Sequence, residues 1–276
     1  MSDKILITGA NGQLGTELRK VLPNAIFADI NVLDITDLNA VKKFVNDNGI
    51  DVIVNCAAYT AVDRAEDDIE AAKKINEDGV LNLALSGAKI VHISTDYVFD
   101  GKNYAPYQEK DEANPLSVYG KTKRAGELAV LDNAKIAIVI RTAWLYSTHG
   151  NNFVKTMRRL GAERKNINVV IDQIGTPTFA GDLAQAIATI LPQINETNKG
   201  IYHYTNEGVC SWYDFATEIM NLSGLSCKVN PIKSSEYPTK AIRPFYSVLS
   251  KEKFKNVFNI EIPHWKESLV KCLKQF

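Results

Sequence analysis

Short apolar segments alternate with longer amphipathic segments along the first half of the chain. The apolar segments are rich in valine and isoleucine: KILIT, AIFA, DVIVNCAA, KIVHIST, KIAIVIR and NINVVI. Between them lie stretches with helical spacing of apolar positions, such as EAAKKINEDGVLNLALSG. Continuous apolar strands separated by helices are typical of a parallel sheet that is covered on both faces. The pattern therefore predicts an α/β fold with a doubly wound parallel sheet.

A glycine-rich turn follows the first predicted strand, in KILITGANGQLG. Gly9 allows a tight turn, Gly12 lets the backbone approach a pyrophosphate, and Gly15 lets the next helix pack closely. The free N–H groups at the start of that helix favour a phosphate. The second apolar segment ends at Asp29, where a carboxylate can bond the hydroxyl groups of an adenosine ribose. Strand, turn, helix and acid together predict a Rossmann-type dinucleotide-binding domain.

The alternation weakens after Trp144, where we expect a smaller α+β domain. Residues GNNFVKTMRRLGAE and AGDLAQAIATILP predict two helices, and the second should pack back on the sheet. Ser211 is the predicted N-cap of a helix that begins WYDFA, and Gly224 is its predicted stop. We assign residues 1–147 to the dinucleotide-binding domain, completed by a strand and a helix within 165–195. Residues 148–276 would mostly bind substrate and interleave with the first domain.

A tyrosine and a lysine form the second motif. Tyr119 and Lys123 lie four residues apart in SVYGKTKRAGELAVL, so on a helix they share one face. A nearby positive charge favours phenolate, so Lys123 is expected to lower the pKa of Tyr119 from about 10. Thr95 ends a predicted strand, and its hydroxyl can bond an oxygen that gains negative charge. Such a pair also occurs by chance in exposed helices, but beside the glycine-rich turn these three residues predict catalysis of carbonyl reduction.

Composition narrows the classes of function. Basic and acidic residues both number 32 among 276, which gives a net charge of zero. No long-range field recruits nucleic acid or an anionic membrane, so neither is expected as a partner. The cysteines form no C-x-x-C pair, which indicates reduced thiols in the cytoplasm rather than disulfides or a zinc site. Neither a signal peptide nor a membrane span is expected.

The order and spacing of these motifs resemble the extended short-chain dehydrogenase/reductase family. Further blocks resemble the dTDP-4-dehydrorhamnose reductases over nearly the whole chain: NCAAYTAVDRAE, STDYVFDG, PLSVYGKTK, RTAWLY, GNNFVKTM, DQIGTPT and RPFYSVLS. The resemblance implies that NADH or NADPH reduces the 4-keto group of dTDP-4-dehydro-L-rhamnose to give dTDP-L-rhamnose for polysaccharide synthesis. It also implies a dTDP-sugar as partner of a monomer or homodimer.

The resemblance implies roles for individual residues. Expected cofactor contacts are Gly9, Asn11, Gly12, Gln13, Leu14, Gly15, Asp29, Asp34, Ile35, Ala58, Tyr59, Thr60, Tyr119 and Lys123. Expected substrate contacts are Thr95, Asp96, Trp144, Asn152 and Arg243. Trp144 would be an apolar wall for the 6-deoxyhexose, with a core tryptophan as the alternative. Arg243 would bind the diphosphate, with a surface salt bridge as the alternative.

A magnesium site is not predicted. Some relatives dimerise through a carboxylate-bound magnesium ion, and Glu17 matches one ligand position. Asp182 stands where a glutamate is expected, however, and the chain ends soon after the last helix.

Other functions match parts of the same pattern. Sugar-nucleotide dehydratases carry an Asp-Glu pair after the threonine, whereas here Asp96 is followed by Tyr97. A 4-epimerase would fit the core motifs but would keep its cofactor through the cycle. A non-catalytic NADP-binding regulatory subunit has no need of Thr95, Tyr119 and Lys123, so their presence favours an enzyme.

Overall fold

A computed structural model of the chain describes residues 3–276. The strands are β1 (Ile5–Thr8), β2 (Ile26–Ala28), β3 (Val52–Asn55), β4 (Lys89–Thr95), β5 (Ala137–Thr142), β6 (Leu145–Tyr146), β7 (Asn166–Val170), β8 (Ile174–Gly175), β9 (Thr178–Phe179), β10 (Gly200–His203), β11 (Cys210–Ser211) and β12 (Lys228–Ile232). The helices are α1 (Gln13–Val21), α2 (Leu38–Asn48), α3 (Val62–Ala65), α4 (Ile69–Lys73), α5 (Gly79–Ala84), α6 (Val118–Asn133), α7 (Phe153–Glu163), α8 (Ala180–Ile190), α9 (Trp212–Leu222), α10 (Glu252–Phe258) and α11 (Trp265–Leu273). A π-helical segment, Lys74–Asp78, joins α4 to α5.

Six parallel strands form the central sheet, in the order β10-β5-β4-β3-β1-β2. The inner strands β3 and β5 are buried along their whole length, because helices cover both faces of the sheet. Leu18 of α1 and Leu183 of α8 belong to the core on one face. Val41 of α2, Leu83 of α5 and Val130 of α6 belong to the core on the other. The predicted doubly wound parallel sheet is confirmed.

The sixth strand of the sheet differs from the expectation. It is β10, which pairs in parallel with β5. Of the strand and helix predicted within 165–195, α8 packs on the sheet, but β7 pairs with β12 outside it. The reason is visible in β7, where Ile167 and Val169 are buried while Asn166 and Asn168 are exposed. A strand with one polar face cannot lie between two layers of helices.

A second apolar core lies beside the sheet, among α7, α9, α11 and the short strands. It contains Tyr146, Val154, Phe215, Ile219 and Leu269. Ser211 caps α9 through a capping box with Asp214, and Gly224 follows the helix end with a φ of +65°, both as predicted. The division at residue 147 stays a prediction. Among the helices of residues 3–276, none is both long and apolar enough to cross a membrane.

Candidate active site

A cavity of about 800 Å³ opens at the carboxyl ends of the central strands. Thr8 ends β1, Thr95 ends β4 and Thr142 ends β5, and all of them line the cavity. The chain runs from β1 outward to β2 and then returns to β3 on the other side of β1. Open α/β sheets bind their ligands at the carboxyl edge beside such a reversal of strand order.

The glycine-rich turn lies against the backbone that follows β3. Gly9 has a φ of +63°, and a Cβ there would lie 2.6 Å from the backbone nitrogen of Ala57. A Cβ on Gly15 would lie 2.5 Å from the carbonyl oxygen of Gly9, so only glycine lets α1 start this close to the turn. Gly12 is the N-cap of α1 and supplies no side-chain cap. The first N–H groups of α1 therefore remain available to a phosphate in the cavity.

Two acidic residues line the cavity near this turn. Asp29 follows β2, and its carboxylate accepts hydrogen bonds from the backbone N–H groups of Asn11, at 2.9 Å, and Ile30, at 2.8 Å. These bonds hold Asp29 beside the turn. Asp34 accepts from the backbone N–H and the hydroxyl of Thr36, and these bonds lower the pKa of Asp34.

The proposed catalytic residues line the same cavity. Ser117 caps α6, which places Tyr119 and Lys123 on its first turns, and both line the cavity with Thr95. Burial raises the pKa of Tyr119 to about 12, against a smaller lowering by the Thr95 hydroxyl. Burial lowers the pKa of Lys123 to about 8, and its Nζ donates to the carbonyl oxygen of Ile93 at 2.6 Å. The expected lowering of the Tyr119 pKa is therefore wrong, because burial, helped by the charge of Asp96, outweighs the hydrogen bond of Thr95.

Asp96 is a buried acid in the cavity wall. The Thr95 hydroxyl donates to its carboxylate at 3.1 Å. Burial raises the pKa of Asp96 to about 6. The Ser247 hydroxyl lies close enough to the carboxylate to act against this rise, but Oδ2 makes no hydrogen bond of good geometry within residues 3–276. A buried oxygen without a partner is costly, so this atom is suited to accept a hydrogen bond from a ligand hydroxyl.

Two tryptophans stack in the cavity wall. The rings of Trp144 and Trp212 are 3.5 Å apart between centroids and inclined by 11°. Trp144 has a φ of +49°, which is strained for a bulky residue. A Cβ on Gly175 would lie 2.8 Å from the Trp144 indole, so glycine leaves the space that the ring needs. Trp212 was not predicted as a site residue, because tertiary packing alone brings α9 to Trp144.

Comparison with known proteins identifies the family. A family model described as the RmlD substrate binding domain matches residues 3–276. A dTDP-4-dehydrorhamnose reductase from Aggregatibacter actinomycetemcomitans is 42% identical, over 96% of this chain and 97% of the relative. This chain belongs to the dTDP-4-dehydrorhamnose reductase family. The family resemblance inferred from the sequence is confirmed.

Solved structures of dTDP-4-dehydrorhamnose reductases are also similar over the full chain. The one from Clostridium acetobutylicum is 47% identical, with a TM-score of 0.95 and 99% of each chain covered. The one from Bacillus anthracis, solved in complex with NADP, is 38% identical, with a TM-score of 0.95 and 100% of each chain covered.

Most residues that the reductase family led us to expect lie at the cavity. Those that line it are Gly9, Gly12, Gln13, Leu14, Gly15, Asp29, Asp34, Ile35, Ala58, Thr60, Thr95, Asp96, Tyr119, Lys123 and Trp144. Asn152 instead caps α7, and its amide donates to Oε1 of Gln13 at 2.9 Å. Its neighbour Asn151 lines the cavity. Asn152 thus does not line the cavity itself but holds the side chain of Gln13, which does.

Arg243 and Tyr59 have partners within the protein. Arg243 donates twice to the carboxylate of Asp63, at 3.0 and 2.7 Å, so the salt bridge considered as the alternative is present. The Tyr59 hydroxyl donates to Asp68 at 3.2 Å. The side chain of Tyr59 is thus held at Asp68, and its backbone forms part of the turn that follows β3.

Asn76 holds that turn in place. The side chain is fully buried. Its Oδ1 accepts from the backbone N–H of Tyr59 at 2.8 Å, and its Nδ2 donates to the Tyr59 carbonyl at 3.1 Å. A further bond, to the hydroxyl of Thr122 at 3.2 Å, ties the turn to α6. Asn76 therefore connects the turn to the helix that carries Tyr119 and Lys123.

The residues weighed as metal ligands have other partners. Glu17 forms an ion pair with Lys20 at 2.8 Å. Asp182 accepts hydrogen bonds from Asn206 and Ser268. Within residues 3–276, no group of three or more His, Cys, Asp and Glu side chains is arranged to hold a metal ion.

Proposed function

We propose that this protein reduces the 4-keto group of dTDP-4-dehydro-L-rhamnose, with NADH or NADPH as reductant, to give dTDP-L-rhamnose. One observation carries the proposal: Thr95, Tyr119 and Lys123 line the same cavity as the glycine-rich turn. Reduction of a carbonyl needs a hydride donor and an acid at one carbon–oxygen bond. The shared cavity would place the hydride donor beside the acid. Family membership supports this choice of substrate.

The cavity fits a nicotinamide dinucleotide. The uncapped start of α1 offers N–H donors to a pyrophosphate, and Asp29 offers a carboxylate to the adenosine ribose. When bound, the reduced nicotinamide supplies the hydride that the keto carbon receives. Lys123 would bond the ribose on the nicotinamide side.

Tyr119 is the proposed proton donor. With a pKa of about 12 the phenol keeps its proton near neutral pH, so it is in the acid form that protonation of an alkoxide requires. Thr95 would turn its hydroxyl hydrogen from the Asp96 carboxylate to the same oxygen as negative charge develops there. The ammonium of Lys123 would then stabilise the phenolate that Tyr119 leaves behind.

The substrate would lie between Asp96 and the stacked tryptophans. Oδ2 of Asp96 would accept a hydrogen bond from a sugar hydroxyl. Trp144, supported from behind by Trp212, would pack on the apolar edge of the 6-deoxyhexose. Arg243 would bind the diphosphate only by exchanging the carboxylate of Asp63 for phosphate oxygens, which suit the same planar fork.

We also propose that the protein works in the cytoplasm as a monomer or homodimer. Its four cysteines are free thiols. Free thiols are the common state in a reducing compartment.

A single assay separates this function from its rivals. Purified protein is mixed with free NADPH or NADH and a dTDP-4-keto sugar, and cofactor absorbance and sugar product are followed together. We expect one reduced cofactor to be consumed for each keto sugar converted. A sugar product without net consumption of cofactor would indicate an epimerase, and no reaction would indicate a regulatory subunit.

Cofactor preference gives a first prediction. A carboxylate at the ribose attracts the 2′-hydroxyl of NAD and repels the 2′-phosphate of NADP. Asp29 is such a carboxylate, and Ile30 and Asn31 after it bring no arginine to neutralise a phosphate. We expect NADH to be used at least as well as NADPH, and Asp29→Ala to shift the ratio of kcat/KM values towards NADPH. A native preference for NADPH, or an unchanged ratio in the variant, would remove Asp29 from this role.

A further inference from the structure

A buried histidine beside Lys123 has no part in the mechanism above. His92 lies in β4 and is fully buried. Its Nε2 is 3.4 Å from Nζ of Lys123, and its Nδ1 is 3.0 Å from Nδ2 of Asn55. These contacts form a continuous polar chain through the centre of the sheet, from β3 to the catalytic helix.

The orientation of the Asn55 amide decides which nitrogen of His92 carries hydrogen. The backbone N–H of Ala57 donates to Oδ1 of Asn55 at 3.1 Å, and the Thr8 hydroxyl donates to it at 2.7 Å. A backbone N–H can only donate, so the amide oxygen must face Ala57 and the amide nitrogen must face His92. That nitrogen is also a donor, so Nδ1 of His92 must accept. The hydrogen of the neutral ring is therefore on Nε2, which faces Lys123.

His92 stays neutral in this position. Burial and the charge of Lys123 hold the pKa of His92 well below its usual range. An Nε2–H group cannot accept a hydrogen bond from an ammonium, whereas an uncharged amine offers it a lone pair. The ring thus meets the two forms of Lys123 differently, by repelling one and donating to the other.

We propose that His92 is a positioning residue for Lys123: with its hydrogen held on Nε2 by Asn55, it favours the uncharged amine over the ammonium. The consequence for catalysis rests on the proposed function. Lys123 is then not a fixed cation but a group that loses its charge just above neutral pH. Turnover should fall on the alkaline side as the ammonium that stabilises the phenolate is lost.

Other groups that face Lys123 act on its charge as well. Glu127 of the same helix and Cys56 after β3 both raise the pKa of Lys123, yet burial prevails and brings it to about 8. Glu127 is itself bonded twice to Arg141 of β5, which reduces its effect on the lysine. Tyr119, on the same helix face, stays neutral through this pH range.

The test is a direct titration of Lys123 in the full chain. Lysine labelled with ¹³C at Cε is followed by NMR against pH, and the resonance missing from Lys123→Gln assigns the signal. In His92→Gln the side-chain carbonyl can accept from the ammonium. In Asn55→Asp the carboxylate can accept from Nδ1–H of His92, which moves the hydrogen and leaves a lone pair on Nε2. Both variants are expected to raise the titration midpoint of Lys123 by about one pH unit.

His203→Gln is the matched control. His203 is a buried histidine in β10 of the same sheet, where its Nδ1 bonds the carbonyl oxygen of Tyr107. Loss of packing alone would affect this variant too, but the Lys123 midpoint should not move. An unchanged midpoint in Asn55→Asp would overturn the proposal even if His92→Gln failed to fold.

The alkaline limb of kcat against pH supplies a second reading in the same variants. The pH at which kcat falls is expected to rise together with the NMR midpoint of Lys123. A moving midpoint in a protein that does not reduce the dTDP-sugar would refute the proposed function and leave the role of His92 standing. A limb that moves while the midpoint stays fixed would refute the role of His92.

Discussion

Replacing Tyr119 with phenylalanine is expected to lower turnover by about 10²- to 10⁴-fold, the usual contribution of a general acid. The change removes the proton donor and keeps the ring, including its edge-to-face contact with Tyr97 at 5.5 Å. Binding of NADH should therefore change little. Steady-state rates with the dTDP-sugar, and a fluorescence titration with NADH, measure the two quantities separately.

A second tyrosine provides the control for this experiment. Tyr202 of β10 is buried, and its hydroxyl donates to the carbonyl oxygen of Asn198 at 2.6 Å. Tyr202→Phe should lose roughly 1 kcal/mol of stability and keep its turnover. If Tyr119→Phe retained more than about a tenth of the native rate, Tyr119 would not be the acid.

Neutralising Glu127 is expected to lower the free energy of unfolding by about 3–5 kcal/mol. The carboxylate is fully buried and accepts from Nε and Nη2 of Arg141, both at 2.8 Å, and from the Ser94 hydroxyl at 2.6 Å. Glu127→Gln keeps the shape but leaves the buried Arg141 guanidinium without a counter-charge. Urea unfolding of the variant measures the loss.

Arg124→Met is the control for this pair. Arg124 reaches Glu127 from the partly exposed side, at 2.7 Å. Arg124 is partly exposed, and without it Glu127 still has the charge of Arg141, so this variant should lose only about 1 kcal/mol of stability. If Arg124→Met and Glu127→Gln lost the same free energy of unfolding, the stabilisation could not be assigned to the ion pair between Glu127 and Arg141.

The ion pair also sets a pH dependence. Burial acts to raise the pKa of Glu127, but the hydrogen bonds and charge of Arg141 outweigh it and lower the pKa. The stabilisation is therefore complete above the unfolded value of about 4.3 and is lost as the pH falls through the lower folded value. In Glu127→Gln this part of the acid denaturation should be missing.

Features with a local cause could be predicted from the sequence. The glycine-rich turn, the strand ends at Thr8 and Thr95, and the capped start of α9 depend on neighbouring residues, and each lies where the pattern placed it. The sixth strand was misplaced because GIYH is short and NINVVI looks equally suited to a sheet. Only the strand pairing shows that the former joins the central sheet and the latter does not.

Features caused by tertiary packing could not be predicted. The helical spacing of Tyr119 and Lys123 revealed their shared face but not their burial, and burial is what determines their pKa values. Nothing near His92 in the sequence indicates its contacts with Asn55 and Lys123. Trp212 was missed for the same reason, since its partner Trp144 lies on a distant segment.

The late position of β10 in the chain affects how the protein is made. All six residues of β5 are buried in the native sheet, and one edge of that strand has no partner until Gly200–His203 leave the ribosome. The apolar side of α1 likewise stays uncovered until α8 has been made. An unpaired apolar edge can bind other chains. The growing polypeptide therefore carries its complete glycine turn and helix α6 for a long interval before the last strand of the central sheet can cover this edge.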